Sequence, residues 1–222
     1  MGRRIKSDKG KKTTLPIKDD KLLDRVMDYL QIECDHAKTD IKKYQADRNY
    51  MLFLIGLNTA FRAEDLLQLK VKDIEKGYVS IKENKTGKWQ HFRMNKQFHE
   101  DIMNYVKKWK LVSNDYLFMG QKKNQTVKGR SYKIIYPITR QNCQRSIFPK
   151  VIEACGIDFT FGLHSLRKTF GYMWYKHGGS LLTLQKMYNH YAPEVTLLYV
   201  MWDEQDISKE RESIYIGRNK RK

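Results

Sequence analysis

Residues 161–170 read Phe-Gly-Leu-His-Ser-Leu-Arg-Lys-Thr-Phe, residues 186–191 read Lys-Met-Tyr-Asn-His-Tyr, and residues 196–199 read Thr-Leu-Leu-Tyr. His164 and Arg167 stand three apart at the start of a helical pattern, so both side chains leave one face of a helix toward one ligand. His190 and Tyr199 follow, with a turn between them. Two imidazoles, a guanidinium and a phenol gathered this closely suit a phosphate group that is held and then attacked. No carboxylate cage for a metal accompanies them.

The pattern extends outward in both directions. Leu166, Phe170, Met173 and Trp174 form the apolar face of the helix that bears Arg167, and Gly178 and Gly179 end it. Ser180 caps a next helix packed through Leu181, Leu184 and Met187, and Pro193 with Glu194 starts another that carries Tyr199 in its second turn. Upstream, a helix from Asp19 presents Leu22, Leu23, Val26, Met27 and Leu30. After a polar connector, residues 47–58 form a buried helix leading to the turn at Arg62. Residues 78–83 and 89–94 alternate like strands around the turn-forming residues 84–87, which predicts a hairpin with Lys85 at its tip. Residues 96–110 read as an amphipathic helix and residues 121–136 as a polar, basic loop. Thr139 is the expected N-cap of a helix toward Cys155 that Pro149 kinks or breaks.

The spacing resembles that of the tyrosine recombinase (phage integrase) family, whose signature is His-x-x-Arg, a later His, and a nucleophilic Tyr nine residues beyond it, as from His190 to Tyr199. Asn58 to Leu69 looks like the segment carrying the family's first catalytic arginine, here Arg62, and Asn84 to Lys88 like its catalytic-lysine hairpin, here Lys85. Ala60 stands where the family often has Gly, Asp65 where it usually has Glu, and Tyr188-Asn189 where it often has Leu-Gly. The resemblance implies a mainly α fold with a small antiparallel β-sheet (α+β), the tyrosine recombinase catalytic-domain fold. It implies Tyr199 as nucleophile, Arg62 and Arg167 as phosphate clamp, His164 and His190 as hydrogen-bonding or proton-accepting groups, and Lys85 as general acid. Asp65 reads as an ion-pair partner of Arg62 and, compatibly with that, as the group that orients it for phosphate.

The implied activity is site-specific cutting and rejoining of DNA through a covalent 3′-phosphotyrosine, with no cofactor and no metal because the protein link retains the bond energy. The implied partners are double-stranded DNA and further copies of the chain, dimer to tetramer, on that DNA. Two other readings stay open: a type IB topoisomerase-like strand transferase, and a non-catalytic DNA-binding protein derived from an integrase.

Composition agrees with a polyanion partner. The 222 residues carry 43 Lys and Arg against 25 Asp and Glu, a net charge of +18. Cys34, Cys143 and Cys155 are odd in number and lack Cys-x-x-Cys spacing, which argues against a disulfide framework or zinc site and suits reduced cytosolic thiols. No apolar run is long enough to span a bilayer, and the start has no signal-peptide core. The expected division is a basic N-terminal arm without fixed structure over residues 1–18, a catalytic domain over 19–202, and a C-terminal helix with a basic tail over 203–222. That last helix has few apolar anchors and docks either on its own domain or on a neighbouring protomer.

Overall fold

In the computed structural model, which describes residues 13–127, 130–201 and 203–215, the first two helices follow from their caps. Asp19 accepts from the Lys21 amide to open α1 (Asp20–His36), and Thr39 accepts from the Lys42 amide to open α2 (Asp40–Thr59). The connector is therefore residues 37–39, shorter than the sequence pattern suggested, because Thr39 caps a polar first half of α2 that shows no apolar stripe. Met51, Leu52, Phe53 and Ile55 are buried, so the middle of α2 is the enclosed helix of the fold.

A short helix α3 (Ala63–Leu67) follows, with Arg62 as its N-cap. The expected hairpin is present: β1 (Tyr78–Lys82) runs antiparallel to β2 (Trp89–Arg93), with Tyr78 opposite Arg93 and Lys82 opposite Trp89. Asn95 caps α4 (Lys96–Lys108), which buries Phe98, Ile102, Tyr105 and Val106.

Residues 121–136, expected as a loop, instead belong to a second hairpin, β3 (Met119–Val127) and β4 (Arg130–Pro137). A two-stranded ribbon is held by its own backbone pairing, so its sequence lacks the apolar alternation that marks a half-buried strand. The small sheet of the sequence reading is thus two separate two-stranded antiparallel sheets among the described residues.

Thr139 accepts from the Asn142 amide at 3.1 Å and starts α5 (Arg140–Asn142). A π-helical segment at Cys143–Ile147 leads into α6 (Phe148–Cys155), so Pro149 falls in a first turn, where a missing N–H breaks nothing. The remaining helices among the described residues are α7 (Leu163–Lys176), α8 (Leu181–Met187), α9 (Pro193–Val200) and α10 (Glu204–Ser213).

Two packing details set the site. A Cβ on Gly56 of α2 would lie 2.6 Å from Leu166 Cδ1, so α7 approaches α2 more closely than any larger residue would permit. The Phe148 ring lies 5.0 Å from that of Phe53 and 5.3 Å from that of Phe161, and this cluster fixes the entry to α7. Beside the main core, Ala60, Leu184, Tyr188 and Val200 form a second small core, with Phe170, Trp174 and Tyr199 packed on it. This second core seats α9.

The expectation of an arm without fixed structure fails for residues 13–18, because Ile17 is fully buried and its amide donates to Thr169 Oγ1 at 2.9 Å. Residues 1–12 lie outside the described residues. The start of α10 is held on its own domain: Asp206 accepts from the Tyr172 hydroxyl at 2.8 Å and from Lys18 Nζ at 2.7 Å. No described helix is long and apolar enough to cross a membrane.

Candidate active site

Helix α2 ends at Ala60, whose backbone is left-handed at φ 58, and the Ala60 carbonyl accepts from Arg167 Nη1 across the close α2–α7 contact. Arg167 is 1% exposed. Its Nη2 donates to the Tyr188 carbonyl at 3.1 Å and lies 3.3 Å from His190 Nε2, and its Cζ stands 4.1 Å from the Tyr188 ring centroid. Burial, with the Arg62 charge adding to it, pushes this guanidinium down to about 10, still protonated at neutral pH.

Arg62, at the N-cap of α3, sends its Nη2 to the same Tyr188 carbonyl at 3.3 Å. Its Nη1 stands 2.6 Å from Glu83 Oε2, a charge contact rather than a directed hydrogen bond. The ion pair expected between Arg62 and Asp65 is not the one formed. Asp65 Oδ1 instead accepts from the Asn84 amide at 2.8 Å, because the short carboxylate on α3 faces the hairpin backbone. Asp65 therefore supports the site by anchoring the base of the lysine hairpin. Lys85 is exposed at the tip, and no contact ties its ammonium to the cluster among the described residues.

His164 occupies the first turn of α7, half-buried. Burial first, then the Arg140, Arg167 and Lys168 charges, lower its pKa. His190 Nδ1 lies 3.0 Å from Thr196 Oγ1. Since a guanidinium only donates, Nε2 facing Arg167 must be the accepting nitrogen, which makes Nδ1 the protonated one, donating to Thr196. Burial, reinforced by Arg167 and Arg62, pushes the imidazole down to about 4, consistent with that neutral tautomer. Asn189, just before it, adopts φ 53, the left-handed backbone that its substitution for Gly requires.

Tyr199 joins this group from α9. Its ring centroid is 4.9 Å from that of His190, 5.3 Å from that of Tyr188 and 5.3 Å from Arg167 Cζ. Of the residues singled out in the sequence, Arg62, Arg167, His190 and Tyr199 thus converge around Tyr188. His164 flanks them and Lys85 stands off.

Several site residues were not legible beforehand. Glu83 is 1% exposed, accepts from Gln90 Nε2 at 2.7 Å and from Thr86 Oγ1, and is the counter-charge of Arg62. The signal was there: the alternation that buries Val79 and Ile81 continues to Glu83, and an inward carboxylate demands a cation. Thr196 and the Tyr188 carbonyl carried no such signal, since backbone acceptors and a helix threonine look alike everywhere in a sequence.

The phage integrase family model matches residues 26–206. The probable integrase/recombinase YoeC of Bacillus subtilis is 34% identical over 169 residues, covering 74% of this chain and 85% of YoeC. Tyrosine recombinase XerH of Helicobacter pylori is 28% identical over 171 residues, covering 73% of this chain and 43% of XerH. Among solved structures, XerA recombinase matches with a TM-score of 0.66 at 15% identity, over 95% of this chain and 68% of that one. XerH bound to palindromic difH substrate, a post-cleavage complex, matches with a TM-score of 0.66 at 21% identity, over 93% and 55%. The structural likeness establishes the fold, that of tyrosine recombinase catalytic domains.

Proposed function

This chain belongs to the phage integrase family, and from that premise we propose that it is a site-specific recombinase or integrase that cuts and rejoins double-stranded DNA through a 3′-phosphotyrosine on Tyr199. The observation that carries this reading is the packing of the Tyr199 ring against both Arg167 and His190.

Arg62 and Arg167 form the phosphate clamp, because guanidinium forks match phosphoryl oxygens and keep their charge. Arg167 donates to neutral carbonyls of Ala60 and Tyr188, so its buried charge is not cancelled by a bonded carboxylate and favours an incoming anion. The Tyr199 oxygen attacks phosphorus while the bond from phosphorus to the 5′-oxygen breaks. The phenol's proton passes to an imidazole, and Lys85 delivers a proton to the departing 5′-oxygen. The reverse sequence reseals the strand, so neither ATP nor a metal is consumed. His190, neutral with an accepting Nε2, is in the protonation state of a base; His164 adds a hydrogen bond to the phosphoryl oxygens.

Self-association on DNA is part of the same reading. Leu198, Ile214 and Tyr215 are exposed apolar side chains on α9 and after α10, in the segment that follows the nucleophile. The discriminating experiment is covalent trapping on a nicked suicide substrate. Tyr199→Phe abolishes the adduct and leaves DNA affinity within about twofold, since a single hydroxyl is removed from a multi-contact interface. An undiminished adduct in that variant rejects the assignment. Relaxation of supercoiled plasmid by a monomer without site preference points instead to a topoisomerase-like transferase, and absence of any adduct on varied DNA points to a non-catalytic binder.

A further inference from the structure

Lys168 follows Arg167 on α7, and the mechanism above does not use it. It is 7% exposed, and among the described residues no carboxylate pairs with it. Burying an unpaired ammonium is unfavourable and needs compensation by fixed acceptors. Its Nζ donates to the Thr14 carbonyl at 2.6 Å and to Met201 Sδ at 3.6 Å, and lies 5.9 Å from the centroid of the Tyr199 ring. Met201 is the left-handed C-cap of α9, two residues beyond Tyr199. Thr14 belongs to the docked segment of residues 13–18, whose Ile17 amide is held by Thr169, the next residue of α7. One buried cation thus joins three pieces of chain: the N-terminal segment, α7 and the end of the helix that carries the phenol.

We propose that Lys168 is a positioning residue for the nucleophile, clasping the N-terminal segment to the end of α9 so that the seat of Tyr199 depends on residues 13–18. This rests on the reading of Tyr199 as nucleophile, but the clasp itself is measurable without DNA. Helix α9 is short, and two of its eight residues, Thr196 and Val200, are buried, so contacts at its C-cap hold a large share of its position. A lysine supplies three donors, and the thioether and carbonyl use two of them at a point where an apolar side chain would leave the carbonyl unpaired.

The test uses the full chain with Lys168→Met, Thr169→Val and the double variant. Hydrogen exchange without DNA reads the clasp: in Lys168→Met, amides of residues 13–18 and of α9 lose protection together while α2 and α4 keep theirs. On saturating suicide substrate, adduct formation falls on the order of 10–100-fold, the scale of a small misplacement of a reacting group, while the DNA dissociation constant moves less than about threefold. Thr169→Val loosens the same segment from its other tie, and the double variant loses less than the product of the two single losses. Unchanged exchange in α9, or a wild-type adduct rate in Lys168→Met, overturns the proposal. If Lys168→Met does not fold, Thr169→Val decides: loss of protection in residues 13–18 with none in α9 overturns it, and joint loss supports it. If the wild-type chain forms no adduct on any DNA, the nucleophile reading fails while the exchange result still decides the clasp.

Discussion

Arg62 and Arg167 share one acceptor: the Nη2 atoms of both donate to the Tyr188 carbonyl, at 3.3 and 3.1 Å. Residues from α3 and α7 are thereby brought to a common point by backbone rather than by a charged side chain. Lysine cannot reproduce this, since its single ammonium has no fork to span two acceptors. Arg62→Lys and Arg167→Lys are each expected to lower single-turnover adduct formation by about 10²–10³-fold, the usual loss for one preorganised donor. Arg167→Lys also lowers the melting temperature, because the Ala60 carbonyl loses its donor; thermal melts and adduct kinetics check both.

Glu83 holds Arg62 from the hairpin side. Burial would raise its carboxyl, but hydrogen bonds from Thr86 and Gln90 and the Arg62 charge outweigh it and hold the group below the ordinary glutamate range. A depressed carboxyl contributes stability that is present above its unfolded pKa and lost as pH falls through the folded value. Glu83→Gln therefore flattens the acid side of the stability profile below about pH 4.3, where an unperturbed glutamate titrates. At neutral pH it also costs on the order of 3 kcal/mol, since Arg62 is left as a largely buried charge without its partner. Urea unfolding between pH 3 and 7 measures both effects.

Ala60 pays for its φ of 58 in the left-handed region, and Gly171 leaves room for Tyr188, whose hydroxyl a Cβ there would meet at 2.3 Å. Ala60→Gly removes roughly 1 kcal/mol of left-handed strain and adds about as much unfolded-chain entropy, so the melting temperature stays nearly level. Gly171→Ala is expected to destabilise by about 1–3 kcal/mol and to displace the Tyr188 ring from Arg167, as overpacking does. Adduct formation then falls in Gly171→Ala and not in Ala60→Gly.

His190 gives a pH signature of opposite origin to that of an ordinary surface histidine. Its folded pKa of about 4 lies below the unfolded value near 6.5, so the unfolded chain binds the extra proton between them. Its share of stability is complete above pH 6.5 and is lost as pH falls toward 4. His164 is shifted in the same direction. In His190→Gln the stability slope between pH 6.5 and 4 becomes shallower, which denaturant melts at stepped pH record.

The charge excess sets a further expectation. With 43 basic against 25 acidic residues, DNA affinity should fall steeply and linearly in a log–log plot against salt, since each neutralised phosphate releases counterions. A flat response in a fluorescence-anisotropy titration would contradict the DNA-binding reading.

What could be foreseen divides along a physical line. Helices α1, α4, α7, α8 and α9 announce themselves through apolar spacing and, in several, end residues such as Asp19, Ser180 and Pro193, all local signals. The second hairpin does not, because pairing between β3 and β4 needs no apolar face. The catalytic-type side chains were visible as residue types at family spacing, whereas their partners were not. The strand alternation marks Glu83 as inward-facing but not its pairing with Arg62, 21 positions away, and no local pattern encodes the roles of Thr196 and the Tyr188 carbonyl.

The bond from Asp65 Oδ1 to the Asn84 amide sits directly beside the Glu83–Arg62 contact. It roots the hairpin at Asn84, and the turn beyond is closed on Glu83, whose carbonyl accepts from the Gly87 amide at 2.9 Å and whose amide donates to the Lys88 carbonyl at 2.9 Å. A Lys85 ammonium that is to reach a phosphate therefore does so on its flexible four-carbon stem, with the backbone of the turn held in place. Loosening this turn with inserted glycines would loosen Arg62 as well, since Thr86 Oγ1 donates to the same Glu83 oxygen that stands against the guanidinium.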